Sequence, residues 1–197
     1  HAHFAEFAGI YALRSKIKYK IPYAVTEHSS SFNKFYIEEK QKKFFNDVYG
    51  ESSINIAVSP SFKKNLENNF PYDFKYIPNI IDDIFFRIKK RSFTKDKFVI
   101  TSVGSLYHIK GMDILIKAFT IAFKSVDNVF LNIIGDGPQK ILLKNLTCEL
   151  GVKDKIKFYG ILNREIIAEI FSNTDCFALS SRKETFGVVY AEAMAAG

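Results

Sequence analysis

The sequence is sparing with several residue types at once. Its 197 residues hold two cysteines, five prolines and ten glycines, and nowhere an apolar run long enough to cross a bilayer. Two thiols, Cys148 and Cys176, cannot build a disulfide framework, so a reducing, cytosolic compartment is expected. Cys148 falls in a helical pattern and Cys176 in an apolar strand, where a thiol packs as a small hydrophobe. So little glycine and proline excludes collagen and low-complexity chains. No signal-peptide pattern precedes the first strand. The chain opens at His1 and stops at Gly197 behind Ala-Glu-Ala-Met-Ala-Ala, a helix with its terminal glycine, and we expect an internal fragment of a longer protein.

What is present is apolar and aromatic. Hydrophobic residues make up 47%, with 20 Phe and 10 Tyr, which excludes a disordered chain and suffices for one large domain or two small ones. The net charge of +7 is spread: residues 1–90 carry 14 basic and 10 acidic side chains, residues 91–197 carry 14 and 11. Two clusters stand out, Arg14, Lys16, Lys18 and Lys20, and Arg87, Lys89, Lys90 and Arg91. They read either as solvated faces or as attraction to anionic lipid or a phosphorylated substrate. No zinc-finger, RRM or KH pattern is present, so nucleic acid is not an expected partner.

The second half alternates cleanly. Strand patterns at Lys97–Val103, Val129–Ile134, Lys155–Tyr159 and Asp175–Leu179 are each followed by a helical one, at Gly111–Lys124, Pro138–Leu150, from Asn163, and at Thr185–Ala196. In the first of these helices Ile114, Leu115, Ala118, Phe119, Ala122 and Phe123 form the apolar stripe, and Val129–Ile134 reads as a strand buried on both faces. Such a β-α series predicts a parallel sheet with helices on its faces, which binds ligands beyond the carboxyl ends of its strands. The first half is less regular: helices at Ala5–Lys18, Phe35–Tyr49 and from Ser59-Pro60 to Leu66, and strands at Ile21–Thr26, Ile54–Val58 and Phe74–Ile77. Residues 86–96, charged and aperiodic, read as a linker between residues 1–85 and 97–197.

Three strand ends carry suggestive loops: Gly104-Ser105-Leu106 leading to Lys110-Gly111, Gly135-Asp136-Gly137-Pro138, and Ser180–Gly187. A helix N-terminus offers free N–H groups and the positive end of the dipole, which suits a phosphate. Each loop alone reads equally as an ordinary turn. The Walker and dinucleotide glycine patterns are both absent, Lys140 standing where the third glycine of the latter would fall. Glu184 and Glu192 read as surface carboxylates on spacing alone; with Glu184 in a loop and Glu192 in the second helical turn, both could face one ligand. His1 and His3 alternate as metal ligands can, but no third ligand follows at a sensible spacing.

Together these segments resemble a known family. Glu184-Thr-Phe-Gly-Val-Val-Tyr-Ala-Glu192 is similar to the E-x7-E signature of retaining glycosyltransferases of family 4, the glycosyl transferases group 1. Gly104–Gly111, Gly135–Pro138 and Phe158-Tyr-Gly160 follow the family's order, as do His1-Ala-His3, Thr26-Glu-His28-Ser29, Val58-Ser59 and Ile77–Asp82. The resemblance implies an α/β fold of GT-B type, two Rossmann-like domains facing across a cleft, both incomplete here. It makes residues 1–85 the later part of the acceptor domain and 97–197 the first part of the donor domain. It implies a nucleotide-sugar donor, a saccharide or lipid-linked acceptor, no metal and no other cofactor. The implied location is cytoplasmic, with peripheral contact to the inner face of the membrane, in cell-surface polysaccharide or glycolipid synthesis.

By the same resemblance Lys110 and Glu184 are the catalytic residues, Lys110 on the diphosphate and Glu184 on donor-sugar hydroxyls. Gly104, Ser105, Gly135, Phe186 and Gly187 line the donor, Ile161 and Leu162 pack on the base, Glu192 holds the ribose, and His28 lies on the acceptor side. Ser105 stands where the family often has an arginine, which leaves Lys110 more of the load or lets Arg182 substitute. Two other readings stay open: a GT-B sugar-nucleotide epimerase, and an inactive or binding-only chain. The fragment by itself is expected to be inactive.

Overall fold

The computed structural model describes residues 1–28, 39–88 and 96–197. It consists of two α/β units, each with its own four-stranded parallel sheet. The first unit comprises His1–Ile80 together with Glu184–Phe186; the second comprises Ile81–Lys183 and Gly187–Gly197. Two separate sheets are what the patterning of the two halves predicts.

In the first unit the strands β1 (Ala2–His3), β2 (Ala24–Glu27), β3 (Ile54–Ala57) and β4 (Lys75–Tyr76) lie side by side in chain order. Helices α1 (Ile10–Tyr19), α2 (Glu39–Glu51) and α3 (Pro60–Asn69) connect them. Helix α3 starts where its sequence says: Ser59 Oγ accepts from Phe62 N at 3.2 Å, with Pro60 in the first turn. The core is aromatic, with Tyr49 in edge contact with both Phe70 and Phe74 at 5.1 Å. The expected helix Ala5–Lys18 is in fact two elements, a π-helical turn at Phe4–Gly9 and then α1. The strand expected at Ile21–Thr26 begins only at Ala24, since Pro22 has no N–H to give a neighbour. The first residues of the expected Phe35–Tyr49 helix lie outside the described residues.

In the second unit β5 (Phe98–Val103), β6 (Val129–Ile134), β7 (Ile156–Gly160) and β8 (Cys176–Phe177) are ordered β7-β6-β5-β8. One buried cluster joins Ile100, Leu131 and Ile133 to Met112, Ile116 and Phe119 of α5 (Met112–Phe123) and Leu143 of α6 (Lys140–Glu149). A second joins Phe85 of α4 (Asp83–Phe86), Ala168 and Phe171 of α7 (Arg164–Ser172) and Ala196, beyond α8 (Val188–Ala195), with Val103 and Phe177 packed against it. The sheet therefore carries helices on both faces.

Several expectations need correcting. Strand β6 is not buried throughout on both faces: Val129, Leu131 and Ile133 are buried on one, while on the other Ile134 is buried and Phe130 and Asn132 are half-exposed. The buried stripe of α5 runs through Met112, Ile116 and Phe119, leaving Ile114 and Ala118 exposed. Residues 81–88 are no tail of the first unit: Phe85 is buried, its ring 5.9 Å from that of Phe171. Cys148 and Cys176 are free, but both are exposed and neither packs as a small hydrophobe; β8, which holds Cys176, is an edge strand. The last helix begins at Val188, since Gly187 takes a left-handed conformation (φ 75°) that interrupts the turn expected from Thr185.

Candidate functional site

Register sets the site of the second unit. Val103 pairs with Ile134, and Ile134 with Gly160, so three strands end in one row. The residues after that row are Gly104, Gly135 and Ile161, three of the expected ligand contacts. Gly104 N donates to Ile134 O at 2.9 Å, and Gly135 N to Gly160 O at 2.8 Å. Gly135 has φ 134°, and a Cβ on it would fall 2.0 Å from Gly104 O. Only a glycine lets the two loops touch there. Leu106 N then donates to Asp136 O, and Gln139 N to Leu106 O, which ties the β5 and β6 loops into one surface. Asp136 is held ionised below its usual range by the Lys140 ammonium and the Gly137 N–H.

Lys110 closes a short 3-10 turn, His108–Lys110, and its stem lies over Gly104, with Cδ 3.9 Å from where a Cβ there would be. Gly111 follows at φ 64°, and a Cβ on it would meet Ser180 O at 2.0 Å. The loop after β8 is thus pressed onto this turn. Ser180 Oγ donates to Gly111 O at 2.5 Å and Arg182 N to Ile109 O at 2.8 Å. The Arg182 guanidinium forks onto Asp113 (Nη1–Oδ1 2.8 Å, Nη2–Oδ2 2.7 Å) and reaches His108 O at 2.6 Å. Its charge is committed to Asp113, whose carboxyl it holds below the usual range. Arg182 is thus engaged by Asp113, and Ser105 is exposed.

Glu192 lies in the second turn of α8 and is 7% exposed. Burial pushes its carboxyl above the usual range, and Asp82 adds to this; Arg164, with Nη2 3.7 Å from Oε1, opposes. Arg164, which also meets Asp82 at 3.3 Å, escaped the sequence reading, because nothing local links it to residues 82 and 28 places away in opposite directions. Leu162 is half-buried and Ile161 is 82% exposed.

Glu184 and Phe186 fall to the first unit, where Phe186 packs against the aromatic core. Thr185 Oγ1 donates to His28 O at 3.1 Å, and Ser59 Oγ to Thr185 O at 2.7 Å. His28 stands beyond β2 beside His3, their Nε2 and Nδ1 2.9 Å apart. Of the two basic clusters, Lys16 pairs with Glu51 at 3.0 Å and Arg87 with Asp83 at 3.0 Å, while Lys89, Lys90 and Arg91 lie outside the described residues. Among the described residues no three His, Cys, Asp or Glu cluster to hold a metal ion, and no helix is long and apolar enough to cross a membrane.

Two family models divide the chain: Glycosyltransferase Family 4 matches residues 1–84, and Glycosyl transferases group 1 matches residues 83–197. The chain belongs to the glycosyl transferases group 1 family. Over its whole length it is 26% identical to N-acetyl-alpha-D-glucosaminyl L-malate synthase of Bacillus anthracis, covering 54% of that protein. Over 102 residues, 52% of the chain, it is 35% identical to the lipopolysaccharide core biosynthesis glycosyltransferase LpsD of Rhizobium meliloti, covering 28% of it. The crystal structure of Anabaena HepE in complex with UDP-glucose aligns with 96% of this chain and 55% of that one, at a TM-score of 0.79 and 21% identity. The fold is thus that of GT-B glycosyltransferases, and the chain spans about half or less of these proteins.

Proposed function

We propose that this chain is the central part of a retaining glycosyltransferase that moves a sugar from a nucleoside diphosphate to a saccharide or lipid-linked acceptor. The observation that carries this is the in-register row of strand ends with Lys110 folded over Gly104. It offers a floor of close-packed backbone, which admits a bulky anion, beside a cation on a rigid turn.

In this reading the second unit begins the donor domain and the first ends the acceptor domain, with the boundary at Ile80. The bond between the anomeric carbon and the diphosphate oxygen breaks, a bond from that carbon to the acceptor hydroxyl oxygen forms on the same face, the hydroxyl proton passes to the departing diphosphate, and negative charge grows on that diphosphate as it leaves. Lys110 and the Phe186 and Gly187 amides would stabilise that charge without a metal. Glu184 would accept hydrogen bonds from donor-sugar hydroxyls, and Glu192 from the ribose diol. Gly104, Ser105 and Gly135 would line the diphosphate, Ile161 and Leu162 the base, and His28 the acceptor side. The relatives named for lipopolysaccharide and glucosaminyl transfer support this, as does the UDP-glucose held by the structural relative. A cytoplasmic site of action with peripheral membrane contact belongs to the same proposal.

The test is transfer by the full-length protein from a panel of nucleotide sugars, with and without EDTA. Transfer that survives the chelator, with retention at the anomeric centre, supports the reading; hydrolysis, epimerisation or no turnover with any donor overturns it.

A further inference from the structure

Arg164 stands where an arginine is electrostatically out of place. Asn163 caps α7, accepting from Ile166 N at 2.9 Å, which makes Arg164 the first helical residue. A cation there faces the positive end of the helix dipole, the end that suits its neighbour Glu165. A pair of carboxylates offsets this. Arg164 Nη1 lies 3.3 Å from Asp82 Oδ2, and Nη2 lies 3.7 Å from Glu192 Oε1. One guanidinium thus spans carboxylates from two other helices, Asp82 at the cap of α4 and Glu192 in α8, all within the second unit.

The packing beneath fixes this geometry. Phe85 of α4, Ala168 and Phe171 of α7 and Ala196 after α8 form one buried cluster, with Ile167 and Val189 packed against it. Asp82 is anchored by its other oxygen as well, since Oδ1 accepts from Ile84 N at 3.1 Å. Glu192 is held differently. It is buried, yet among the described residues no donor gives a hydrogen bond to either of its carboxylate oxygens. Buried polar groups are as a rule hydrogen-bonded, and a carboxylate can accept at both oxygens. In Glu192 that capacity is left for a ligand, and the charge of Arg164 is what holds the group.

We propose that Arg164 is the positioning residue for Glu192, holding its carboxylate in place to accept from two vicinal hydroxyls, and that Asp82 weakens the hold by drawing on the same guanidinium. That the hydroxyls belong to a ribose rests on the glycosyltransferase reading; the ion chain does not. A diol donates two hydrogen bonds, which an ionised carboxylate takes on its two oxygens, whereas a protonated one gives up an accepting site. Burial disfavours the ionised form of Glu192, Arg164 favours it, and Asp82 disfavours it again. The remaining charged side chains of these helices lie on the exposed surface: Asp83, paired with Arg87 at 3.0 Å, and Glu165 and Glu169. The two partners therefore act in opposite senses on one carboxylate.

Removing each partner in turn tests this. Glutamine is at home in a helix and asparagine still caps one, so Arg164→Gln and Asp82→Asn take away charge and little else. In the chain labelled with ¹³C at the glutamate carboxyls, Glu192 should ionise at higher pH in Arg164→Gln and at lower pH in Asp82→Asn. Shifts in the same direction, or in neither variant, overturn the proposal. In the full-length protein at pH 7, with a nucleotide sugar as the probe, Arg164→Gln should raise donor KM about threefold with kcat nearly intact. Arg164→Lys should recover part of that loss, and Asp82→Asn should lower donor KM by up to about twofold. A merely structural cluster would raise KM in both variants or lower kcat along with it, and either result overturns the positioning role. So do opposite shifts of Glu192 with donor KM unmoved. Absence of transfer from every donor, with the opposite shifts intact, leaves the ion chain supported by the spectra and counts against the transferase reading alone.

Discussion

The two units solve the same problem, what to place at the carboxyl end of a parallel sheet, with different materials. In the second unit the surface is backbone. Gly104, Gly111 and Gly135 bring main chains together, and the charged side chain laid over Gly104 is a lysine, beside Met112 and Leu179. In the first unit it is built from side chains: a buried Glu27, the Tyr49 hydroxyl, and His3 against His28. A backbone floor suits a ligand recognised by charge, since N–H groups and an ammonium serve any phosphate alike. A network of side chains suits a ligand recognised by its hydroxyls, and it is also the more fragile device, because each buried polar group depends on the others.

That fragility is the largest effect to look for. Glu27→Ala removes the acceptor from two backbone N–H groups and the Tyr49 hydroxyl and opens a cavity around them. Three donors left without a partner should cost roughly 3–5 kcal/mol. Denaturant unfolding should show the loss in the transition of the first unit while the second keeps its own. A midpoint within experimental error of the parent would mean that the first unit does not depend on its network. Next comes Lys110→Ala, which leaves the backbone floor in place but takes away the cation. It should lower kcat for transfer by about 10²–10³-fold, as losing one preorganised donor to a growing charge does. A variant near the parent in both kcat and KM would show that the diphosphate lies elsewhere.

A smaller effect tests whether the backbone surface needs help from side chains. Asp113→Asn breaks the fork with Arg182, which seats the loop after β8 on the Lys110 turn. Asp113 is held below its usual range by that partner, so its contribution is present above about pH 4 and lost as pH falls through its lowered value. Both partners meet solvent, so the direct change in stability is small. The expected result is about a tenfold rise in donor KM with kcat less affected, diminished in Asp113→Glu. Equal losses in both variants would make the fork a packing feature without a role in placing Lys110.

The contrast between the units also explains what could be read from the chain. Asn163 capping Ile166 N at 2.9 Å, Ser59 capping Phe62 N, and the β-α order of the second half are local, and the sequence carries them openly. Contacts between distant segments are not written that way. Arg182 and Asp113 are 69 residues apart, and nothing in either neighbourhood announces the other. Glu27 left a fainter trace. In a strand of period two it shares a face with Val25, which is 1% exposed, so alternation alone places a carboxylate on the core side. The charged residue at a strand end reads as solvated, and its satisfaction by Ala5, His28 and Tyr49 appears only in three dimensions.

Glu192 supplies the finest test, because it belongs to the backbone-built unit yet behaves like the groups of the other. Its carboxyl is buried and pushed above the usual range, mainly by burial and further by Asp82, with Arg164 acting against both. A raised value means that the folded state binds the proton more tightly than the unfolded chain does. The stability this gives is fully present below the unfolded value and is lost as pH rises through the folded one. At pH 7 the ionised group is therefore a net cost, tolerated for what it does. Glu192→Gln should raise the melting temperature by about 1–3 °C at pH 7 and leave it unchanged near pH 4. The same variant should raise donor KM several-fold with kcat nearly intact, since a ribose is held alike in ground and transition states. Stabilisation at pH 7 together with weaker donor binding is the signature of a carboxylate kept for a ligand. A fall in melting temperature at pH 7 would instead make Arg164–Glu192 a structural pair and remove Glu192 from the donor site.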